Sequence, residues 1–253
     1  MDNKNIHEGH RARFREHVYN TGLYNLTDIH YLEYLLQFVI SRADTNPIAH
    51  ELLNEFKTID GIFDASLDAL KMVNGVGDKT ARFLHAMAPT CFMYRKSKAL
   101  KKPFIGNLKC LISFLHDILP PSTNEQFIIL IAGKNFEVKS YKVFSGISHS
   151  YINFDSKELT EYLIKHKTSF CILAHTHPEH NALPSGSDNA TFQQMAPLLD
   201  ALSIQLLDNI ILGEKDVFSY RTNSIRYYSE IDADFIANHK YDLNKWEYAI
   251  PKN

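Results

Sequence analysis

Two histidines separated by one residue, His175 and His177, follow an apolar run at residues 169–174 that is typical of a buried strand. Side chains at positions i and i+2 of an extended segment project to the same side, so both imidazoles can converge on one point. The loop that follows contains two prolines and leads to Ser185 and Asp188. Two imidazoles and one carboxylate, with a fourth position left for water, form the ligand set of a catalytic zinc site. The spacing therefore predicts a hydrolytic metal centre.

The segments around this motif predict an α/β domain that would hold it in place. Apolar patterns predict a β-hairpin at residues 125–133 and 136–144, and helices at residues 157–165 and 190–202. One or two core strands are expected at residues 204–213, and an edge strand is expected at residues 218–220.

The first third of the chain predicts helices joined by turns, with no strand pattern. Helical patterns cover residues 7–22, 28–39 and 48–56, followed by a turn at Gly61 and a short helix capped by Ser66. The expected architecture is therefore an all-α region followed by an α/β domain.

Gly75 and Gly77 flank a single apolar residue between two helical patterns, which predicts a tight hairpin whose backbone N–H groups point outward. The next helix begins there, so its positive dipole end would strengthen an anion site. Lys79 and Arg82 lie on its first turns, within reach of neighbouring phosphates. The hairpin either contacts a nucleic-acid backbone, or its glycines only permit a compact turn.

Residues 95–103 form a basic run that ends at Pro103. We interpret it as a solvated connector between domains rather than as a nucleic-acid patch. A helix is predicted at residues 108–119, before two prolines. The resulting domain prediction is a helical domain at residues 1–98, a linker and helix at 99–122, the metal domain at 123–228 and a C-terminal tail at 229–253.

Composition narrows the class of protein. The 253 residues are 45% hydrophobic and carry 27 Lys and Arg against 29 Asp and Glu, a net charge of −2 that exerts no global attraction on nucleic acid or membrane. The three scattered cysteines, Cys91, Cys110 and Cys171, indicate reduced thiols in a cytoplasmic protein. A polar N-terminus predicts no signal peptide, and no apolar run approaches membrane-spanning length.

The pattern of His175, His177, Ser185 and Asp188, H-x-H-x(7)-S-x(2)-D, resembles that of the JAB/MPN (JAMM) metalloprotease domain. The chain more closely resembles the bacterial RadC family, in which a helix-hairpin-helix region precedes such a domain. This resemblance covers the chain to about residue 220, through the glycine hairpin, the strand at residues 125–127, the turn at residues 144–146 and the histidine motif. It implies an all-α helix-hairpin-helix domain followed by a mixed β-sheet flanked by helices, of cytidine-deaminase-like architecture.

The resemblance also implies roles for single residues. His175, His177 and Asp188 would ligate zinc, and Ser185 would donate a hydrogen bond to the oxyanion as water attacks a carbonyl carbon. The family's upstream glutamate acts as general base; Glu125 is the favoured position for it and Glu158 is the alternative. The implied reaction is hydrolysis of a peptide or isopeptide bond in a peptide or protein substrate.

The loop after the histidines departs from the family pattern. RadC sequences usually have Asn between the histidines and Ser-Gly after the proline, whereas this chain has Thr176 and then Glu179 and His180. Thr176 resembles the peptidase branch, in which the middle residue is often Ser or Thr. We interpret His180 as a solvent-exposed loop residue, because a fourth protein ligand would close the position that water needs.

A second class of function follows from the family's description as DNA repair proteins. In that alternative Gly75, Gly77 and Lys79 bind the backbone of DNA without reading its sequence, and the zinc domain is non-catalytic. A family label is an analogy and not site chemistry, so the hydrolase is preferred.

Overall fold

The computed structural model describes residues 4–41, 43–101, 103–144 and 156–231. Contacts divide the chain into two compact units, Met1–Tyr94 and Arg95–Asn253. The domain boundaries expected from the sequence are not tested by this division and stay predictions. The predicted turn at residues 144–146 and the predicted tail at residues 229–253 lie largely outside the described residues.

The first unit is helical, as the sequence predicts. Its described helices are α1 (Lys4–Thr21), α2 (Asp28–Leu36), α3 (Asn46–Phe56), α4 (Ile59–Asp64), α5 (Leu67–Met72) and α6 (Asp78–His85). Helices this short are marginal on their own, so they depend on a shared apolar core. That core contains the fully buried side chains Leu32, Leu52, Ile62, Leu70 and Leu84.

Side-chain caps determine where the shortest helices begin. Ser66 Oγ accepts a hydrogen bond from the Ala69 N–H at 3.2 Å, which places the N-cap of α5 where the sequence predicts it. Thr58 caps α4 in the same way, through the N–H of Gly61 at 3.1 Å. The turn predicted at Gly61 is therefore wrong. The glycine lies inside α4, where a Cβ atom would approach the Phe56 carbonyl oxygen to 2.5 Å.

The basic run at residues 95–103 begins as helix. Helix α7 (Met87–Ala99) contains the boundary between the two units, so the first five residues of the run belong to it. Helix α8 (Leu108–Ile118) follows, with Asn107 capping its start through the Cys110 N–H at 2.9 Å. Its apolar face, including the fully buried Leu111 and Leu115, packs against the sheet of the second unit.

The second unit contains a mixed sheet flanked by helices. Its described strands are β1 (Phe127–Ala132), β2 (Val138–Phe144), β3 (Phe170–Thr176), β4 (Gln205–Leu212), β5 (Asp216–Ser219) and β6 (Ser224–Tyr227), in the spatial order β2-β1-β3-β4-β5-β6. Its other described helices are α9 (Ser156–His166), before β3, and α10 (Gly186–Ala201), between β3 and β4. Strands β3 and β4 are parallel, as expected for a connection through a helix, and the other pairs are antiparallel.

Two details of the sheet differ from the sequence expectations. The strand expected at the sheet edge, residues 218–220, overlaps β5, which lies between β4 and β6, so the edge assignment is wrong. Strand β6 has only four residues and is largely exposed, so its alternation of polar and apolar residues is too short to mark a strand in the sequence. Residues 205–212 form one strand, with a register shift against β3 between Cys171 and Ile172.

Side-chain alternation divides the second unit into two cores. Ile128, Ile172 and Ile210 face α8, whereas Ile129, Leu173 and Ile211 face α9 and α10. Strands β1 and β3 are covered on both faces, which explains their continuous apolar sequences. Among the residues that the structure describes, no helix is both long and apolar enough to cross a bilayer.

Candidate metal centre

His175 and His177 lie at the carboxyl end of β3, on the face of the sheet that α10 covers. His175 follows Leu173 by two positions and therefore shares its face of the sheet. The His177 N–H donates to the Leu212 carbonyl at 2.8 Å, so contact with β4 continues beyond the end of β3. Both side chains are buried, and their Nε2 atoms are 3.2 Å apart.

Asp188 approaches the two imidazoles from the first turn of α10. Its Oδ1 atom lies 3.2 Å from His175 Nε2, and its Oδ2 atom lies 3.5 Å from His177 Nε2. Ligand atoms of the three buried residues all lie within 4.8 Å of one another. The structure thus brings together the three predicted ligands in a group that could hold a metal ion.

The start of α10 determines where Asp188 lies. Ser185 is the N-cap residue: its Oγ atom accepts from the Asp188 N–H at 3.1 Å, and Asp188 Oδ2 accepts from the Ser185 N–H at 2.7 Å. This reciprocal pair is a capping box, although its third helical residue is Asp instead of the more usual Glu or Gln. Ser185 is therefore next to the candidate site and also starts the helix that carries Asp188.

Hydrogen bonds within the group shift the pKa values of Asp188 and His177. Burial raises the pKa of Asp188, but hydrogen bonds with His175 and His177 outweigh burial and hold that pKa well below its usual range. For His177, burial lowers the pKa, while hydrogen bonds with Asp188 and with the Asn181 carbonyl raise it, and the net pKa is raised. The carboxylate is therefore anionic at neutral pH, as a metal ligand must be.

Glu125 lies beside the histidines, just before β1. In the antiparallel pairing of β1 with β3, Phe127 is opposite His175, so the same register places Glu125 across from His177. Thr176 strengthens this end of the pairing, because its Oγ1 atom accepts from the Gln126 N–H at 2.9 Å. Glu125 Oε1 is 4.0 Å from His177 Nε2.

The alternative glutamate, Glu158, lies on α9 and forms an ion pair with Lys142 at 2.5 Å. The ammonium group of Lys142 also lies over the ring of Phe144, at 5.0 Å from its centroid. Of the two candidate bases, the structure places Glu125 next to a histidine of the group and Glu158 in a partly exposed salt bridge.

The loop between β3 and α10 makes two contacts that the sequence did not indicate. His177 Nδ1 lies 3.0 Å from the Asn181 carbonyl oxygen, and the Ala182 N–H donates to Asp216 Oδ1 at 2.8 Å. Asp216 is 34 residues from Ala182, so no local pattern could have revealed this contact. His180 in the same loop is exposed and lies outside the three-residue group, in agreement with its interpretation as a loop residue.

The glycine hairpin belongs to the helical unit. Gly75 has φ +85°, a conformation that favours glycine, and a Cβ atom there would approach Ile48 Cδ1 to 2.8 Å and displace that side chain. Gly77 is the N-cap of α6, with φ −85° and open space around its Cα atom. Lys79 is exposed, whereas Arg82 is paired with Asp78 at 2.7 Å and is less available for a phosphate than the sequence suggests.

Most of the chain is similar in sequence to known proteins. Residues 105–225 match the RadC-like JAB domain family. A UPF0758 protein of Fusobacterium nucleatum is 30% identical over 220 residues, which cover 84% of this chain and 95% of that protein. UPF0758 proteins of Ruegeria pomeroyi and Rhodobacter capsulatus are 25% and 24% identical, over 84% and 83% of this chain and 95% and 99% of their own lengths. These names state no activity.

Proposed function

Since the chain belongs to the RadC family, we propose that it is a zinc-dependent hydrolase that cleaves peptide or isopeptide bonds. The observation that carries this proposal is the group of His175, His177 and Asp188, buried at the junction of β3 and α10. We further propose a cytoplasmic setting, in which the three free cysteines stay reduced.

The spacing of the donor atoms supports zinc. His175 Nε2 lies 3.2 Å both from His177 Nε2 and from Asp188 Oδ1, whereas His177 Nε2 lies 3.5 Å from the other carboxylate oxygen, Oδ2. Tetrahedral zinc with bonds of 2.0–2.1 Å needs donor atoms about 3.3–3.4 Å apart. Three protein ligands leave the fourth position open, which is the arrangement of catalytic and not structural zinc sites.

The remaining residues would supply the proton transfers. Zinc bound to this group would provide Lewis-acid chemistry, polarising a carbonyl and acidifying water. Glu125, 4.0 Å from His177 Nε2, is near enough to take a proton from the attacking water and return it to the leaving amine. The Ser185 hydroxyl, at the start of α10, would donate a hydrogen bond to the oxyanion.

Two measurements on the full chain test this proposal together. Metal analysis of the purified protein is expected to show one zinc per chain. A diverse library of peptides and isopeptide-linked peptides, followed by mass spectrometry, is expected to show cleavage that chelation abolishes and added zinc restores. One bound zinc with no cleavage in either half of the library would reject the hydrolase and leave only the metal site.

A second candidate function is non-sequence-specific DNA binding by the helical unit. The specific observation is Gly77: its φ and the open space around it give the fold no steric need for glycine. Glycine at an N-cap also suits close approach of a phosphate to the backbone N–H groups at a helix start. Asp78 disfavours DNA binding, because it places a negative carboxylate on the first turn of α6 and pairs with Arg82.

A further inference from the structure

The peptide unit that joins Asn181 to Ala182 connects His177 with Asp216. Its carbonyl oxygen lies 3.0 Å from His177 Nδ1, and its N–H donates to Asp216 Oδ1 at 2.8 Å. A single planar amide therefore has the imidazole hydrogen-bonded at one end and a carboxylate at the other.

The chemistry of this connection determines which nitrogen of His177 can bind a metal. A carbonyl oxygen only accepts hydrogen bonds, so Nδ1 must carry the proton. In neutral His177 the lone pair then lies on Nε2, the atom that faces His175 and Asp188. Hydrogen bonds in series polarise one another, so a carboxylate on the amide N–H makes the carbonyl a stronger acceptor and Nε2 a stronger ligand.

The hairpin between β4 and β5 holds Asp216 in this position. Asp216 is 95% buried, where an anionic carboxylate needs a hydrogen-bond donor. Gly213 makes the close approach possible: a Cβ atom there would lie 2.3 Å from Asp216 Oδ1 and 2.5 Å from the Ala182 nitrogen. The Glu214 N–H donates to the His180 carbonyl at 2.9 Å and ties the same hairpin to the loop a second time.

We propose that Asp216 is a positioning residue of the metal centre, which acts through the Asn181–Ala182 peptide to hold the tautomer and orientation of His177 and to strengthen its Nε2 atom as a ligand. The inference rests on the proposed zinc site but not on hydrolysis. It extends the site from three side chains to a carboxylate that contacts none of the proposed ligands directly.

The test compares Asp216→Asn with Asp208→Asn. Asparagine keeps an oxygen that can accept from Ala182, removes the charge of Asp216 and replaces its second oxygen by an NH2 group. Asp208 is a matched control, since it is equally buried but accepts hydrogen bonds from Ser219 and from the N–H groups of Asn209 and Arg221. Zinc affinity is measured by competition with a chromogenic chelator, and the tautomer of His177 is measured in the metal-free protein by long-range ¹H–¹⁵N NMR.

We expect Asp216→Asn to weaken zinc binding by about 10-fold or more, the range found when a group behind a ligand is altered. Asp208→Asn should stay within about 2-fold of the wild type, because its hydrogen bonds described above are with Ser219, Asn209 and Arg221 and not with the Asn181–Ala182 peptide. The Nδ1–H signal of His177 should weaken in Asp216→Asn alone.

Equal losses of affinity in both variants, or an unchanged affinity and tautomer in Asp216→Asn, would overturn the role of Asp216. If the wild-type protein binds no zinc, the proposed function fails, whereas the tautomer of His177 in the metal-free Asp216→Asn variant still decides this inference.

Discussion

Ser185 and Asp188 cap each other's backbone at the start of α10. The serine hydroxyl accepts from the Asp188 N–H, and the Asp188 carboxylate accepts from the Ser185 N–H. The same carboxylate faces both histidines, so one side chain starts a helix and completes the candidate metal group. Helix capping and metal binding therefore share one geometry at this position.

Ser185 caps α10 and is also the proposed donor to the oxyanion, and substitutions can separate these two roles. Ser185→Ala should lower the free energy of unfolding by roughly 0.5–2 kcal/mol, whereas Ser185→Gly should lower it by only a few tenths, because glycine is a tolerated N-cap. If the hydroxyl also serves the oxyanion, both variants should lose about 10²- to 10³-fold in kcat. Denaturant unfolding and kcat are measured on the same preparations. A Ser185→Gly enzyme with wild-type kcat would leave the serine as a helix cap alone.

Glu125→Gln should keep zinc binding and lose about 10²- to 10⁴-fold in kcat, because the amide can no longer accept the proton of water. Glu158→Gln is the matched control. Its salt bridge with Lys142 is partly exposed, so kcat should be unchanged and stability should change by less than about 1 kcal/mol. Zinc content and peptide cleavage are measured for both. Activity that survives in Glu125→Gln but disappears in Glu158→Gln would reverse the assignment of the base.

The two glycines of the hairpin should respond differently to alanine. Gly75→Ala should destabilise the helical unit by about 1–2 kcal/mol because its φ is positive. Gly77→Ala should cost less, up to about 1 kcal/mol, since its φ is ordinary and its surroundings are open but alanine is a poorer N-cap than glycine.

Gly77→Ala then tests DNA binding, with denaturant unfolding used to verify that the helical unit stays folded. If the hairpin binds DNA, this variant should weaken affinity for a duplex of any sequence, and Lys79→Ala should reduce the salt dependence by about one phosphate contact. Fluorescence anisotropy across a salt series provides both the affinity and its salt dependence, with Lys57→Ala as a control in the same unit. Affinity that is indifferent to salt and to both substitutions would remove the DNA-binding function.

Asp208 should make stability depend on pH. Burial raises the pKa of its carboxyl from 3.8 to about 6, against the hydrogen bonds from Ser219 and Arg221 that lower it. Between about pH 4 and pH 6 the folded state keeps a proton that the unfolded state has released. The free energy of unfolding contributed by this group therefore falls as pH rises through that window, by roughly 3 kcal/mol at most, and is level above it.

Asp208→Asn removes this titration. The free energy of unfolding of the wild type relative to Asp208→Asn, measured by denaturant unfolding, should therefore fall as pH rises from about 4 to 6. Identical pH profiles for the two proteins would show that Asp208 has an ordinary pKa in the folded state.

Much of the candidate metal group could be predicted because its parts are close in sequence. His175 lies at the end of β3 and His177 just beyond it, and Ser185 and Asp188 begin the next helix, so the linear pattern already contains the strand end, the loop and the helix start. Continuous apolar runs likewise predicted β1 and β3, because both strands are buried on both faces.

Other features depend on pairing between distant segments and could not be predicted. The location of Glu125 opposite His177 follows from the β1–β3 register, which a sequence does not specify. Asp216, at the start of β5, contacts the loop between β3 and α10 across a separation of 34 residues. Helix α4 was missed because it is six residues long and contains a glycine, and its start depends on a single threonine cap.

Anomalous diffraction at the zinc edge, from crystals of the zinc-loaded protein, tests the proposed zinc centre most directly. We expect one strong peak about 2.0–2.2 Å from His175 Nε2, His177 Nε2 and an Asp188 carboxylate oxygen, with the fourth position facing solvent on the side of Glu125. Asp188→Ala crystals should lack the peak. A peak elsewhere in the chain, or a fourth protein ligand that closes the site, would contradict a catalytic zinc centre at the end of β3.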